Sequence, residues 1–574
     1  MRLENRIKAA RGELEADLLV KNCRLVNVLS GEIRQADLAV YDGIFLGCGD
    51  YRAREVLEAG NRYLCPGFIE GHIHLESSLL SPVEFARIAA RRGTAAVICD
   101  PHEICNCLGP EGLRYMLSAT EDLPLAVYCL LPSCVPATPL ETAGGRLDAG
   151  DIEPLSLQYP GRILGLGEMM NVPGVLSLDP GVLAKLNLFQ GGIIDGHCPG
   201  LSGKDLNAYI LAGPGSEHEA VSVAEAREKL EKGMHLMIRE GSSAQNLLDL
   251  LPLVNDLNSG NVSLVTDDRH PDDLLHKGHL DHTLRQALTA GLDPVRAVQM
   301  VSINTARYFG LKGVGAVAPG YRADFILIND LSSVDIDAVY LKGKKVRDQD
   351  FAVPDHFLPE STVNLGEVSG RTFCIDSPGQ GAGARALEVI PGQILTGSRT
   401  VIPGYASGLA LADSQQDLAK LAVLERHQGT GNVGLGFVVG LGLRTGAIAS
   451  TVAHDSHNLI LAGINDADMA VAAEAVKDMQ GGFVVVDNEE VLASLPLPIA
   501  GLMSPLGIEA VVRGLNDLNA AAGRLGCREE INPFMLLSFL ALPVIPALRL
   551  TDKGLVDVEQ FTFVPLWIGP EDQT

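Results

Sequence analysis

Residues 65–74 of the chain read CPGFIEGHIH, an apolar run that ends in His72, Ile73 and His74. On a β-strand, residues two apart point to the same side, so both imidazoles can reach one bound ion. A His-x-His triplet alone often occurs by chance. It gains weight here because similar runs, with metal-binding residues at their ends, follow along the chain.

Eight such runs occur between residues 64 and 309, each followed by a helical stretch. They are FIEGHIH, AVICDPHE, VYCLLPSC, ILGLGEMM, GIIDGHCP, GSEHE, LMIREGSS and SLVTDDRH. Alternating strands and helices indicate parallel βα units, and eight units suit a closed barrel. We therefore predict an α/β protein with a (β/α)8 TIM-like barrel over residues 64–309 and an active site at the carboxyl ends of its strands. The sixth unit is the weakest, because little apolar strand precedes Glu217 and His218.

The segments on either side of this barrel have a different pattern. Residues 16–49 and 315–346 alternate apolar and polar side chains, bounded by the Ser-Gly and Asp-Gly turns that are typical of hairpins. We predict one small β-sandwich domain built from both flanks, residues 1–63 with 310–355. Two unrelated hairpins are the alternative.

The remainder, residues 356–574, is rich in glycine and contains alternating stretches such as GFVVVDNEE, which predict a separate C-terminal α/β (α+β) domain. Its segment GTGNVG, residues 429–434, has the GxGxxG spacing of a dinucleotide-binding loop. The preceding stretch LAVLERHQ, residues 421–428, is interpreted as helix rather than strand. The cofactor signal is therefore weak.

Six residues with metal-binding side chains lie at the ends of the barrel runs. They are His72, His74, Glu168, His197, His218 and Asp267. Each alone could be a solvated acid or a core histidine, but together they exceed the three protein ligands of a typical catalytic zinc. They suit two divalent ions that share a bridging carboxylate and a water acidified to hydroxide. Nitrogen and oxygen donors without thiolate accept zinc, iron or manganese.

The motifs HIHLESS, DPHE, GLGEMM, DGHCPG, SEHE and TDDRHP together resemble those of the adenine deaminases of the amidohydrolase superfamily, and the resemblance covers nearly the whole chain. It implies hydrolytic deamination of adenine to hypoxanthine and ammonia, a reaction of purine salvage. By position, it implies that His72 and His74 hold one ion, and that His197 and His218 hold the other. Glu168 would bridge the pair as a catalytic carboxylate. The resemblance favours Mn²⁺ or Fe²⁺, with Zn²⁺ possible.

Asp267 matches the acid at the end of the eighth strand in that family. We expect it to bind metal and to act as general base and then acid, taking a proton from the attacking water and passing it to the departing amine. The neighbouring Asp268 is an alternative, since only one of two consecutive strand residues can face inward.

Other ionisable residues at the run ends are candidates for contacts with the purine. We predict that Asp100, His102, Glu103 and Glu240 bind the substrate, with Arg239 as a further candidate beside Glu240. A salt-bridged barrel rim would explain the same residues, and Asp100 with His102 could instead hold an additional ion.

Two groups of histidines lie outside these runs. One follows the eighth run in a helical stretch and is predicted to lie mostly on a surface helix, with His270 as the exception. Its members are His270, His276, His279 and His282. The other is the HDSH motif with His454 and His457, for which we expect a structural role.

The sequence motifs also bear on three alternative functions. Zinc deaminases that act on cytosine or on nucleic-acid adenine use H-x-E followed by P-C-x-x-C, and the second motif does not occur in this chain. Another binuclear amidohydrolase, acting on a cyclic amide or an N-acyl substrate, stays open. An inactive barrel scaffold is the third interpretation, and ammonia release and metal content would separate the three.

The composition limits which classes of partner the protein can bind and which cellular location is expected. A net charge of −26 argues against nucleic acid and acidic lipid, although not against a free base with no phosphate. The 11 scattered cysteines, without a signal-like apolar segment at the start, predict reduced thiols and a cytoplasmic location. The apolar stretch 533–550 contains prolines, so we predict a buried helix ending at Pro543 and no membrane span. A homodimer is the default assembly.

Overall fold

A computed structural model describes residues 3–351, 363–390, 393, 395–528 and 532–569. The boundary expected between residues 355 and 356 lies outside the described residues. Within them, every helix is too short or too polar to cross a lipid bilayer.

The chain begins with a short helix and five strands. They are α1 (Leu3–Ala10), β1 (Ala16–Asn27), β2 (Glu32–Tyr41), β3 (Ile44–Cys48), β4 (Ala53–Glu58) and β5 (Tyr63–Pro66). β2 and β3 form an antiparallel hairpin around Asp42 and Gly43, which both have positive φ angles of 51° and 72°. This is the primed turn that the Asp-Gly pair predicts.

Eight parallel strands follow, one for each predicted run. They are β6 (Phe68–Ile73), β7 (Thr94–Cys99), β8 (Ala126–Leu131), β9 (Ile163–Met169), β10 (Ile193–Gly196), β11 (Ser216–Glu217), β12 (His235–Arg239) and β13 (Val262–Val265). β11 has only two residues, in keeping with the weak apolar signal of the sixth unit.

These strands form two curled parallel sheets, in the orders β10-β9-β8-β7-β6 and β11-β12-β13. Hydrogen bonds connect the sheets at both ends. The Asp267 amide donates to the His72 carbonyl (3.0 Å), and the Gly215 amide donates to the Ile194 carbonyl (3.0 Å). Every residue of β6 and β7 is buried, as expected for parallel strands covered on both faces.

Helices cover the outside of these strands. They are α2 (Pro82–Arg91), α3 (His102–Leu108), α4 (Pro110–Ala119), α5 (Ala149–Gln158), α6 (Val172–Leu176), α7 (Pro180–Leu188), α8 (Gly203–Leu211), α9 (Val223–Glu231), α10 (Leu247–Leu250), α11 (Pro271–His276), α12 (Leu280–Thr289), α13 (Pro294–Met300) and α14 (Ile303–Tyr308). The sequence sets their starts locally. At α2, for example, the Ser81 hydroxyl accepts from the Glu84 amide (3.3 Å) and Pro82 is the first helical residue.

The second flank supplies β14 (Phe325–Ile328), β15 (Ile336–Leu341) and β16 (Lys344–Lys345). They complete one sheet in the order β16-β15-β14-β5-β1-β2-β3, with β4 paired to β1, so both flanks do meet. β14 pairs antiparallel with β5 as far as Pro66. Residues 64–66, which the sequence pattern assigned to the barrel, therefore belong to the flanking sheet, because their backbone groups pair there.

The described residues of the C-terminal part form 14 strands and three α-helices. They are β17 (Ile375–Asp376), β18 (Ala384–Val389), β19 (Thr396–Val401), β20 (Gly404–Ala406), β21 (Leu409–Leu411), β22 (Leu418–Leu424), β23 (Val433–Val439), β24 (Ala447–Ser450), β25 (Leu459–Gly463), α15 (Asp466–Asp478), β26 (Gly482–Asp487), β27 (Glu490–Pro496), α16 (Ile508–Arg524), α17 (Pro533–Phe539), β28 (Leu548–Thr551), β29 (Gly554–Asp557) and β30 (Thr562–Phe563). The central sheet has the order β19-β18-β23-β22-β25-β24-β26-β27. α17 ends at Phe539, before the stop predicted at Pro543.

One prediction for this part is wrong. Residues 421–428 were interpreted as helix, but β22 occupies residues 418–424 and pairs antiparallel with β23. The GxGxxG segment at residues 429–434 therefore connects two antiparallel strands. A dinucleotide loop needs a strand before it and a helix after it, so this segment lacks the required context.

The large apolar core is continuous from the parallel strands into the C-terminal part, where it includes Leu387, Ile448, Phe483 and Val511. The C-terminal part therefore shares one apolar core with the part of the chain that contains the parallel strands.

Candidate metal centre and active site

The six predicted ligands come together at the carboxyl ends of the parallel strands. His72 and Glu168 lie on β6 and β9, while the others follow strand ends directly or within two residues. Apart from His197, whose side chain is 26% exposed, their side chains are almost completely buried. Several subsets place their nitrogen and oxygen atoms close enough to share one ion, among them His72–Glu168–His218 and His72–His74–Asp267.

Glu168 lies at the centre of this cluster, and its two carboxylate oxygens face different imidazoles. Oε1 is 3.4 Å from both His74 Nε2 and His102 Nδ1. Oε2 is 2.7 Å from His197 Nδ1 and 3.2 Å from His218 Nε2. Burial alone would raise the pKa of Glu168, but the surrounding imidazoles hold it well below its usual range. The carboxylate is therefore an anion that connects two groups of histidines.

Asp267 faces the same cluster from the eighth strand. Its Oδ1 is 3.4 Å from His74 Nε2 and 3.7 Å from His72 Nε2, and its Oδ2 accepts from Arg239 Nη1 at 2.8 Å. Burial opposes ionisation, yet the contacts with His74 and Arg239 keep the pKa of Asp267 well below its usual range. The side chain of Asp268 instead accepts from the Ser77 hydroxyl. Of the two candidates, Asp267 is the one that faces the cluster.

Hydrogen bonds on their outer nitrogens orient the imidazoles of His72 and His74. His72 Nδ1 donates to Asp195 Oδ2 (2.8 Å), and His74 Nδ1 donates to the carbonyl of Asp100 (2.9 Å). The inner His72 Nε2 is buried and finds no hydrogen-bond partner among the described residues. Buried nitrogens are rarely unpaired, and metal-binding histidines characteristically donate their other ring N–H to a carboxylate or carbonyl. The donor set therefore fits a divalent cation.

A further residue, Glu219, adjoins the cluster although the sequence analysis did not assign it to the site. Glu219 Oε1 is 3.6 Å from His218 Nε2, and Glu219 Oε2 accepts from Arg239 Nη2 at 2.9 Å. Glu217, the other acid of the SEHE motif, is paired with Lys229 (3.1 Å). The SEHE motif was the available signal, but a two-residue strand shows no alternation to distinguish its two acids.

Glu240 is not placed at the site. Its side chain accepts from the Leu247 amide (3.3 Å) in its own loop, and burial raises its pKa. Arg239, its neighbour on β12, faces Asp267 instead. The prediction that Glu240 contacts the substrate is therefore not supported by its position, since consecutive strand residues point to opposite sides.

The other predicted substrate residues lie beside the cluster. Asp100 Oδ2 accepts from the Glu168 amide (2.9 Å), while its buried Oδ1 has no hydrogen-bond partner among the described residues. His102 lies between Asp100, Glu168 and Glu103, with its Nε2 3.7 Å from Glu103 Oε1. Glu103 in turn faces the C-terminal part of the chain.

The HDSH histidines, expected to be structural, contact this part of the site. His454 Nδ1 is 2.7 Å from Glu103 Oε1, and His457 Nε2 contacts the other oxygen of the same carboxylate. His454 and His457 also line a cavity between the part with the parallel strands and the C-terminal part. No short-range pattern could reveal these contacts, because the partners are more than 350 residues apart in the chain.

The histidines after the eighth strand have different environments. His270 lines the same cavity, and His276 is exposed on α11. His279 is fully buried against the Thr94 hydroxyl (2.8 Å), so the prediction of a surface position is wrong for it. His282 is half-buried on α12.

Comparisons with known proteins show which families the chain resembles. Residues 63–346 match the model of the amidohydrolase family, and residues 393–562 match that of the adenine deaminase C-terminal domain. The chain is 54% identical over 562 residues to the adenine deaminase of Oleidesulfovibrio alaskensis, covering 98% of each chain. It is 48% identical over 568 residues to that of Desulfatibacillum aliphaticivorans, covering 98% of this chain and 99% of the relative.

Proposed function

Because the chain belongs to the adenine deaminase family of the amidohydrolases, we propose that it hydrolyses adenine to hypoxanthine and ammonia in purine salvage. The observation that carries the proposal is the position of Glu168. Its carboxylate joins His74 on one side to His197 and His218 on the other, at the strand ends where barrel enzymes hold their active sites.

We assign the parallel strands to a closed (β/α)8 barrel of TIM type. The two hydrogen-bonded connections between the curled sheets support it. The proposed domains are residues 1–63 with 310–355 as a β-sandwich, 64–309 as the barrel and 356–574 as the C-terminal domain. The pairing of β5 with β14 supports moving the first boundary to residue 67.

Amidohydrolases are metal-dependent, and the donor set fits two divalent cations. His72 and His74 would hold one, His197 and His218 the other, with Glu168 between them and Asp267 as a further ligand. Bound divalent metal lowers the pKa of water toward neutrality, which supplies the nucleophile for the reaction. Mn²⁺ and Fe²⁺ are the proposed metals on the strength of the family resemblance, and Zn²⁺ suits the same donors.

Asp267 is proposed as the proton-transferring residue. The low pKa of its carboxyl, maintained by His74 and Arg239 against burial, keeps it ionised and able to accept a proton. It takes one proton from the water whose oxygen adds to C6 of adenine. It then gives that proton to the amine as the C6–N bond breaks, so one adenine and one water yield one hypoxanthine and one ammonia.

Asp100, His102 and Glu103 are proposed to position the purine, because His102 contacts Asp100, Glu168 and Glu103, and Glu103 lines the cavity. Adenine is the proposed partner. A cytoplasmic location and a homodimer stay predictions.

Incubation of the purified protein with adenine, adenosine, guanine and hydantoin tests the proposal. Ultraviolet spectra and ammonia release should show hypoxanthine formation from adenine alone. Ring opening of hydantoin, or deamination of adenosine without adenine, would contradict the assigned substrate.

A further inference from the structure

The cavity next to the metal cluster is formed by two distant parts of the chain. The barrel contributes acidic groups, among them Asp268 and Glu103, and the C-terminal part contributes His454 and the aromatic rings of Phe534 and Phe539. Sites for planar small molecules typically combine apolar and aromatic walls with a few polar groups that fix orientation. A purine has two apolar faces and a polar edge, so this combination suits it.

His454 is the imidazole of the C-terminal part that is anchored and still accessible. Its Nδ1 donates to Glu103 Oε1 (2.7 Å), and its ring stacks on Phe539 with centroids 4.8 Å apart and an angle of 26° between the planes. The side chain is 15% exposed and lines the cavity. The described residues offer no hydrogen-bond partner to its Nε2. That atom is therefore the one available to a ligand.

Glu103 is itself fixed by a second histidine, whose tautomer can be derived. His457 Nδ1 accepts a hydrogen bond from the Ala453 amide (3.1 Å), so this nitrogen carries no proton. The proton of the neutral ring is therefore on Nε2, which donates to Glu103. With that nitrogen occupied, His457 supports the carboxylate, and Glu103 in turn holds His454 in one orientation.

The charge state of His454 agrees with a donor role. Burial would lower its pKa, but the Glu103 carboxylate raises it to about 9. The pKa of Glu103 is held well below its usual range despite burial, chiefly by His454 and His457. Near neutral pH, both nitrogens of His454 then carry protons, and Nε2 is a hydrogen-bond donor.

We propose that His454 is a specificity-determining residue of the C-terminal part, which donates a hydrogen bond from Nε2 to an acceptor nitrogen that adenine and hypoxanthine share. This inference rests on the proposed function and deepens it. The purine lies in the cleft between the barrel and the C-terminal part, and the C-terminal part thereby completes the substrate site. Adenine and hypoxanthine share N3 and N7 as ring acceptors, so both substrate and product should bind through this hydrogen bond from His454.

Two substitutions separate this role from a structural one. In His454→Asn, the side-chain amide occupies the position of Nδ1, so it can keep the contact with Glu103 but cannot reach the purine. In His454→Gln, the amide nitrogen reaches approximately the position of Nε2. His276→Gln, on the exposed face of α11, is the matched control.

For His454→Asn, we expect the KM for adenine, from steady-state kinetics, and the Kd for hypoxanthine, from calorimetry, each to rise about tenfold. This is the usual effect of losing one hydrogen bond to a ligand. The kcat should stay within about threefold, and metal content and thermal stability should match the wild type. His454→Gln should recover most of the affinity, and His276→Gln should behave as wild type.

Unchanged hypoxanthine affinity in a folded, metal-loaded His454→Asn protein would overturn this inference while leaving the deaminase function intact. So would a loss confined to kcat, which would indicate action through Glu103 alone. A wild-type protein that neither deaminates adenine nor binds hypoxanthine would overturn the proposed function and this inference together.

Discussion

At the scale of single residues, Asp267 and Asp268 are adjacent acids with different surroundings. Asp267 faces His72, His74 and Arg239, whereas Asp268 accepts from the Ser77 hydroxyl. Asp267→Asn keeps the shape of the side chain but removes its ability to take up a proton. We expect kcat for adenine to fall by about 10²–10⁴-fold, the usual contribution of a general acid–base group. Steady-state kinetics on protein of measured metal content will check this.

Asp268→Asn is the matched comparison, because it makes the same chemical change one residue away. Its loss in kcat should be at least about tenfold smaller than that of Asp267→Asn. Full activity of a metal-replete Asp267→Asn protein would remove this residue from the proposed mechanism.

His235 offers a residue-scale prediction about acid stability, away from the metal cluster. It is buried at the start of β12, stacked on Tyr308 (4.5 Å, 14°), with Nε2 2.8 Å from the Ser263 hydroxyl. Burial lowers its pKa from 6.5 to about 4. Between these two pH values the unfolded chain binds the proton and the folded chain does not, so folding stability falls as the pH drops.

His235→Gln should therefore flatten the pH dependence of stability between about pH 6.5 and 4. One ionising group changes the free energy of unfolding by at most about 1.4 kcal/mol per pH unit in this window. Thermal unfolding at several pH values should show a smaller decrease than in the wild type. His276→Gln serves as the exposed control, and equal slopes for all three proteins would show that His235 is not involved.

Residue-level reasoning from sequence selected side chains that the structure brings together, but not their outer contacts. His72, His74, Glu168, His197 and Asp267 could be predicted because each follows an apolar run, and parallel strands bring such ends to one edge. Glu219 was missed because β11 is too short to show alternation. The contacts of His454 and His457 with Glu103 arise only when the C-terminal part packs on the part with the parallel strands, which no local pattern encodes.

At the scale of elements, a continuous apolar run is the ambiguous case. All seven residues of β22 are buried, because the strand is central in its sheet and covered on both faces. Such a run lacks the two-residue alternation of a half-buried strand and can be mistaken for a buried helix. The parallel strands β6 to β13 were predicted correctly despite similar burial, since the repetition of strand, polar end and helix resolved the ambiguity.

Helix α16 provides a prediction about contacts between elements. Gly507, the residue before it, has no side chain to cap the helix, and Glu84 of α2 supplies an acceptor instead, with Oε1 2.8 Å from the Ile508 amide. The carboxylate satisfies a free N–H and lies favourably near the positive end of the helix dipole. We expect Glu84→Ala to lower the free energy of unfolding by about 1–2 kcal/mol.

Glu509→Ala is the control for this prediction, because Glu509 is an exposed acid in the first turn of the same helix. Its effect should be smaller than that of Glu84→Ala, and Glu84→Gln, which keeps an oxygen acceptor, should be intermediate. The stabilities of these variants are compared by thermal unfolding of the metal-loaded proteins. Equal stability of the two alanine variants would show that the contact between α2 and α16 contributes nothing.

At the scale of the whole molecule, the proposed metal ligands come from the ends of parallel strands between β6 and β13. An ion that binds only the folded chain stabilises it by mass action, so its removal should lower the melting temperature as well as abolish deamination. The proposed ligands lie far apart in the sequence, which strengthens the expectation that metal binding stabilises the folded chain. The cations would link segments that begin at residue 72 and end at residue 267, and the unfolded chain offers no such preformed site.

The proposed number of two ions rests on the two sides of Glu168. One oxygen faces His74, and the other faces His197 and His218, so a single ion cannot use every donor in the arrangement observed. After removal of metal with a chelator, titration with Mn²⁺ should restore activity up to two equivalents per chain, with the melting temperature rising in parallel. A plateau of activity at one equivalent would exclude the binuclear assignment. Activity of the fully chelated protein would exclude a metal-dependent mechanism altogether, whatever the geometry of these side chains.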